Sequence, residues 1–192
     1  MNLDTAVVVG NGESRKSVDL NSLNGTLIGC NALHRDITVP FLVCCDRRMV
    51  REALSNPANK DTVIYTRSDW YLEFPGTKPI PNLPYHGMLR ADKIWHWSSG
   101  PVAVFLACEM GFKNVVLVGF DLQSNNGKVN NIYKGTSNYA GAESPAVDPS
   151  YWDYQISKLI DVYRYTNFKV INHKSWELPF AWRKNNVTKV DL

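Results

Sequence analysis

Thr5-Ala-Val-Val-Val-Gly-Asn-Gly-Glu-Ser-Arg15 is the stretch from which the fold can be read. Five residues rich in Val run into Gly10-Asn11-Gly12, followed by a hydroxyl at Ser14 and a guanidinium at Arg15. A short, nearly continuous apolar run is what a strand buried on both faces of a parallel sheet requires. The glycines predict a sharp turn at its carboxyl end that exposes backbone N–H groups, a place suited to an anion such as a nucleotide phosphate. The turn has neither the third glycine of the dinucleotide fingerprint nor the Gly-Lys-Ser/Thr of a Walker loop. Taken alone, it could equally be an ordinary tight turn.

Similar runs follow at residues 26–33, 39–45, 62–66, 114–121 and 168–171, which predict further strands. Between them, residues 47–55 place Met49, Val50, Ala53 and Leu54 on one helical face, with Asp46 as an N-cap candidate. Ser98-Ser99-Gly100-Pro101 opens a helix over 102–110 that Gly111 ends, and Asp148-Pro149 starts another that carries Ile156, Leu159 and Ile160 inward. This alternation predicts an α/β fold: a single Rossmann-like domain over residues 1–192, with a mostly parallel sheet flanked by helices. Two irregular segments interrupt it. Residues 68–97 hold four prolines and many aromatics, and residues 123–149 form a polar, Gly-rich insertion after the Gly119-Phe120-Asp121 strand end, placed like a lid. The tail from Trp176, with Leu178, Phe180 and Trp182, is expected to pack on the domain.

At 192 residues the chain is long enough to bury a full core, and a formal net charge of +3 without a Lys/Arg run gives no footprint for nucleic acid. Cys30, Cys44, Cys45 and Cys108 form no Cys-x-x-Cys pair and read as buried reduced thiols rather than a zinc site. The apolar runs are too short to span a membrane, and Met1-Asn2-Leu3-Asp4 leads directly into the first strand without a signal peptide, so a cytoplasmic location is expected. Self-association is left open.

In open parallel sheets, ligands bind beyond the carboxyl ends of the strands. Here those ends are Asn11-Gly12, Cys30-Asn31, Cys45-Asp46 and Gly119 to Asp121, joined by the helix start at Ser98, Ser99 and Gly100, whose N–H groups favour an anion. Each has a purely structural alternative: Asn31 as a turn residue, Asp46 and the serines as caps, and Asp121 as the stop of a buried strand. Their convergence on one crevice is a stronger signal than any one of them.

Three segments resemble the bacterial sialyltransferases of glycosyltransferase family 42. They are Gly10-Asn11-Gly12-x-Ser14, Cys30-Asn31, and Ser99-Gly100 leading through Gly111-Phe112-Lys113 to Gly119-Phe120-Asp121, matching that family's Gly-Asn-Gly-Pro-Ser, Cys-Asn and Ser-Gly to Gly-Ile-Asp pattern in order over roughly residues 5–175. The resemblance implies inverting transfer of a sugar from a CMP-activated donor to a glycan hydroxyl, with no cofactor or bound metal. Asn11, Gly12 and Ser14 would lie near the phosphate, and Asn31 would hold the nucleotide. Ser99 and Gly100 would face the sugar carboxylate, and Gly119 and Asp121 the cytidine and ribose. In the lid, Tyr133 and Tyr139 would bind the leaving phosphate and stabilise its developing charge.

Two departures stand out. Glu13 replaces the family's proline, and the histidine that serves the family as general base is missing from the lid, where Tyr139-Ala140-Gly141 continues to Ala142 and Glu143. Glu143 is the substitute base within the lid, and His86 and His96 are candidates from the long loop. Two further readings stay open: a non-catalytic nucleotide-binding module, and phosphoryl transfer resembling the pterin pyrophosphokinases, with Asp46 and Asp121 as the strand-end carboxylates.

Overall fold

A computed structural model describes residues 4–124 and 126–192. Residues 1–3, on which the reading of the N-terminus rests, and Asn125 within the 123–149 segment lie outside the described residues. The strands are β1 (Thr5–Val9), β2 (Thr26–Cys30), β3 (Phe41–Val43), β4 (Val63–Thr66), β5 (Thr77–Pro79), β6 (Asn114–Val118), β7 (Asn167–Asn172) and β8 (Val187–Asp191). They form one eight-stranded sheet in the order β5-β4-β3-β2-β1-β6-β7-β8, and every neighbouring pair is parallel. The α/β expectation therefore holds. β5 lies inside the segment expected to be irregular and β8 inside the tail, so the sheet is larger than the apolar runs indicate.

The helices α1 (Arg47–Ser55), α2 (Ser99–Glu109) and α3 (Ser150–Val162) flank it. Alternate side chains of β1 serve opposite layers. Ala6 and Val8 join the core under α2 and α3, and Val7 and Val9 join the one under α1. That division is why the strand is apolar throughout. α2 carries no polar stripe: Pro101 through Cys108 are all buried, because the sheet covers one side and α3 another. The tail packs through Trp176 and Trp182, which meet edge to face, whereas Phe180, expected inside, is 88 % exposed.

Several elements are shorter than their apolar runs. The run 26–33 stops as a strand at Cys30 and turns into a single 3-10 turn, Asn31–Arg35, because Asn31 adopts a left-handed φ of 47°. Asn tolerates that region better than most residues. The run 114–121 stops at Val118, where Gly119 takes φ 73°. The strand order reverses between β1 and β6, and both Gly turns sit at that switch point. There the two backbones nearly touch. A Cβ on Gly10 would lie 2.6 Å from the Gly119 carbonyl oxygen, and the Gly10 and Gly12 N–H groups donate to the Val118 and Gly119 carbonyls at 2.8 and 2.9 Å. The glycines thus extend the ladder past the strands and open the crevice above it.

Candidate functional site

A cavity of about 330 Å³ occupies that crevice, near the lower end of the roughly 300–1,000 Å³ typical of small-molecule sites. The turns after β1, β2 and β6 and the first turn of α2 form its floor. The 123–149 segment and the start of α3 form its roof. Of the residues singled out from the sequence, Asn11, Gly12, Asn31, Ser98, Ser99, Gly100, Gly119, Asp121 and Tyr139 line it.

Ser99 ties the start of α2 to the ends of β2 and β3. Its hydroxyl accepts from the Cys45 N–H at 2.9 Å and donates to Asn31 Oδ1 at 2.7 Å, fixing the Asn31 amide beside the α2 N-terminus. Ser98 holds the N-cap position but its side chain makes no cap hydrogen bond, and the positive end of the helix dipole meets the cavity there. Burial pushes the Cys30 thiol up and the Cys45 thiol to about 12, so neither supplies a thiolate at neutral pH.

Tyr139 reaches into the cavity from the roof. Its hydroxyl accepts from Asn11 Nδ2 at 3.1 Å and from the Ala32 N–H at 3.4 Å. Burial pushes its phenol up, so it keeps its proton, and with two bonds accepted that proton is what it has left to offer a ligand. Asn11 Oδ1 is buried and has no partner among the described residues. Phenol donor and amide acceptor therefore sit side by side at the turn where an anionic group was expected.

Asp121 lines the cavity, but its carboxylate is committed to the fold. Oδ2 accepts from the Ser14 N–H at 3.0 Å, and Oδ1 accepts from the Ser14 hydroxyl and from Asn172 Nδ2 at 3.4 Å. Ser14, expected at the phosphate, is buried against that carboxylate and does not line the cavity. Asp46 does not line it either. It caps α1 through the Arg48 N–H at 2.8 Å and pairs with the Arg48 guanidinium, which holds its carboxyl below the usual range.

Tyr133 anchors the 123–149 segment to the domain. Its hydroxyl donates to Asp36 Oδ2 at 2.6 Å and accepts from the buried Arg15 Nη2 at 2.9 Å, so it points away from the cavity. Glu143 is exposed, paired with Lys128, and does not line the cavity. No histidine among the described residues lines the cavity: His86 and His173 are exposed, His96 accepts from Arg90 Nε at 3.3 Å, and His34 is buried beside Asn56. No group of three or more His, Cys, Asp or Glu that could hold a metal occurs among the described residues.

Residues the sequence did not single out complete the site. Trp152 of α3, Asn130, Asn131 and Lys134 line the roof. The roof is fastened at both ends. Near the turn, the Ile132 N–H donates to the Asn11 carbonyl at 2.9 Å and the Glu13 N–H to Asn130 Oδ1 at 2.8 Å. At its tip, Arg35 donates to Thr136 Oγ1 and the Ser137 carbonyl at 2.8 and 2.9 Å and lies over the Tyr133 and Tyr139 rings, while Glu52 of α1 accepts from Arg35 and, at 2.8 Å, from Asn138 Nδ2.

This tip fastening carries a pH prediction. The Arg35 hydrogen bond holds the Glu52 carboxyl below its ordinary 4.5. A carboxyl lowered in the folded state contributes stability above its unfolded pKa and loses it as pH falls through the folded one. His34, whose pKa burial lowers, lies 3.6 Å from Glu52 and withdraws stability earlier, as pH falls below its ordinary 6.5 and the unfolded chain takes up the proton first. Hydrogen exchange at residues 136–138 is expected to speed up as pH falls below about 4.5, relative to exchange in the sheet. Glu52→Gln should show that relative loss already at pH 7. Protection independent of both would contradict it.

No protein-family model matches this sequence, and no curated protein does. Solved structures do. The chain is similar to the monofunctional α-2,3-sialyltransferase Cst-I from Campylobacter jejuni, with 16 % identity over 96 % of this chain and 83 % of that one and a TM-score of 0.66. It is also similar to the Campylobacter jejuni sialyltransferase CstII in complex with cytidine-5'-monophosphate, with 14 % identity over 88 % and 80 % and a TM-score of 0.57. The same enzyme with CMP-3FNeuAc gives 15 % identity over 86 % and 79 % and a TM-score of 0.54. At these identities the likeness establishes a shared α/β fold.

Proposed function

We propose that the protein is a sialyltransferase-like glycosyltransferase, a single nucleotide-binding domain that transfers a sugar from a CMP-activated donor to a glycan hydroxyl with inversion. The observation that carries this reading is the juxtaposition of Tyr139 and Asn11 over the β1 turn, facing Asn31 and the α2 N-terminus across one cavity. The solved CstII complexes with CMP and with a trisaccharide acceptor support the choice of nucleotide and acceptor class.

In this reading the phosphate lies against Tyr139, Asn11 and Gly12. Ser99, Gly100 and the helix dipole face the donor carboxylate, and Gly119 and the Asp121 turn border the cytidine and ribose. As the glycosidic bond breaks, the electron pair passes to the phosphate oxygen. The Tyr139 phenol stabilises that charge by hydrogen bonding, most effectively in a site closed to water. The acceptor hydroxyl attacks the opposite face of the sugar, and its proton passes to solvent water.

One observation favours the second reading, a nucleotide-binding module without turnover: among the described residues neither a histidine nor Glu143 reaches the cavity to take that proton. Nothing specific favours phosphoryl transfer, since Asp46 and Asp121 are each engaged elsewhere. Incubation with CMP-sialic acid and a panel of glycan acceptors decides between the first two. Release of CMP with a sialylated product is expected. CMP binding without product would make the protein a binding module.

A further inference from the structure

We infer that Lys134 is the phosphate-binding cation of this cavity, held by Glu13 until an anionic ligand displaces the carboxylate. The inference rests on the nucleotide reading above. Among the described lining residues Lys134 has the one basic side chain, and the one acidic side chain, Asp121, is consumed by Ser14 and Asn172. A dianionic ligand entering the cavity therefore meets a single mobile full positive charge.

Lys134 is placed for that task from two directions. It follows Tyr133, whose anchoring to Arg15 and Asp36 fixes the lid backbone, and it lies on the cavity side of that anchor. Its Nζ stands 2.9 Å from Glu13 Oε1, and Glu13 is the residue after Gly12 in the anion turn. Lys16 approaches the same carboxylate oxygen at 3.2 Å, so Glu13 keeps a cationic partner when Lys134 leaves it. The exchange costs little, because a partly exposed pair of this kind is weak, whereas a charge-assisted bond to phosphate is roughly twice as strong as a neutral one. The ammonium is a compact point charge on a flexible stem, able to make that swing.

Calorimetric titration of the wild type, Lys134→Ala and Glu13→Gln with CMP and with cytidine tests this. Lys134→Ala is expected to weaken CMP at least about tenfold, the value of one charge-assisted bond, while cytidine affinity stays within about twofold. The intact cytidine affinity also reports that the variant is folded. Glu13→Gln, which frees Lys134, should tighten CMP by up to about fivefold. Equal losses for CMP and cytidine in Lys134→Ala, or none for either, would overturn the Lys134 assignment while leaving the nucleotide site in place. A wild type that binds neither ligand overturns both.

Discussion

Asp121→Ala is expected to lower the unfolding free energy by about 3–5 kcal/mol, because it strips a buried carboxylate from several donors at once. Asp121 is 8 % exposed, and the Ser14 N–H, the Ser14 hydroxyl and Asn172 Nδ2 all end on it. Each buried donor left unpaired costs about 1–3 kcal/mol. The damage extends beyond the bonds. The Asp121 carboxyl lies against Gly12 so closely that a Cβ there would sit 2.5 Å from Cγ, so the carboxylate also packs the turn after β1. For a chain of this length the midpoint should fall by about 6–20 °C, read by thermal and urea unfolding with unchanged denaturant slope. A loss under about 1 kcal/mol would mean that Asp121 does not hold the turn.

Asn11→Ala has the opposite signature. Its Nδ2 bonds to the Tyr139 hydroxyl, but its Oδ1 is buried without a partner among the described residues, an acceptor that the fold carries at a cost. Removing the amide gives up one neutral bond and relieves that unpaired oxygen, so stability should stay within about 1 kcal/mol of the wild type. Binding should not survive so well. The variant loses the acceptor offered to a ligand and the partner that aims Tyr139, and CMP affinity is expected to fall by about ten- to a hundredfold. Calorimetry alongside urea unfolding reads both quantities. A variant that is destabilised by several kcal/mol yet binds CMP normally would assign Asn11 to the fold instead.

The sheet's interior was legible in the sequence, and its margins were not. β1 and β6 are buried on both faces, which forces unbroken apolar runs. β5 is three residues with a proline, and β8 is Val-Thr-Lys-Val-Asp. Each is an edge strand with solvent beside it, so neither needs an apolar run. At the site, polar strand ends were visible as such, but their partners were not. Ser14 and Asp121 are 107 positions apart in sequence, and nothing local announces that the hydroxyl faces a carboxylate instead of a ligand. Asp46 and Glu143 could be read as site residues only because a cap and an exposed ion pair use the same chemistry as a binding group. Within 123–149 there is no helical or strand period to say which residues face inward, and so Tyr133 and Tyr139, alike in sequence, have opposite duties, and Lys134 between them carries no local signal of its place.

Titration of the purified chain with CMP, beside ADP and NAD as competitors of different base and length, tests the central claim most directly. The account predicts one saturable CMP site per chain, with CMP preferred over both by about tenfold or more and displaced by a CMP-sugar. Absence of CMP binding, or tighter binding of ADP or NAD, would contradict it.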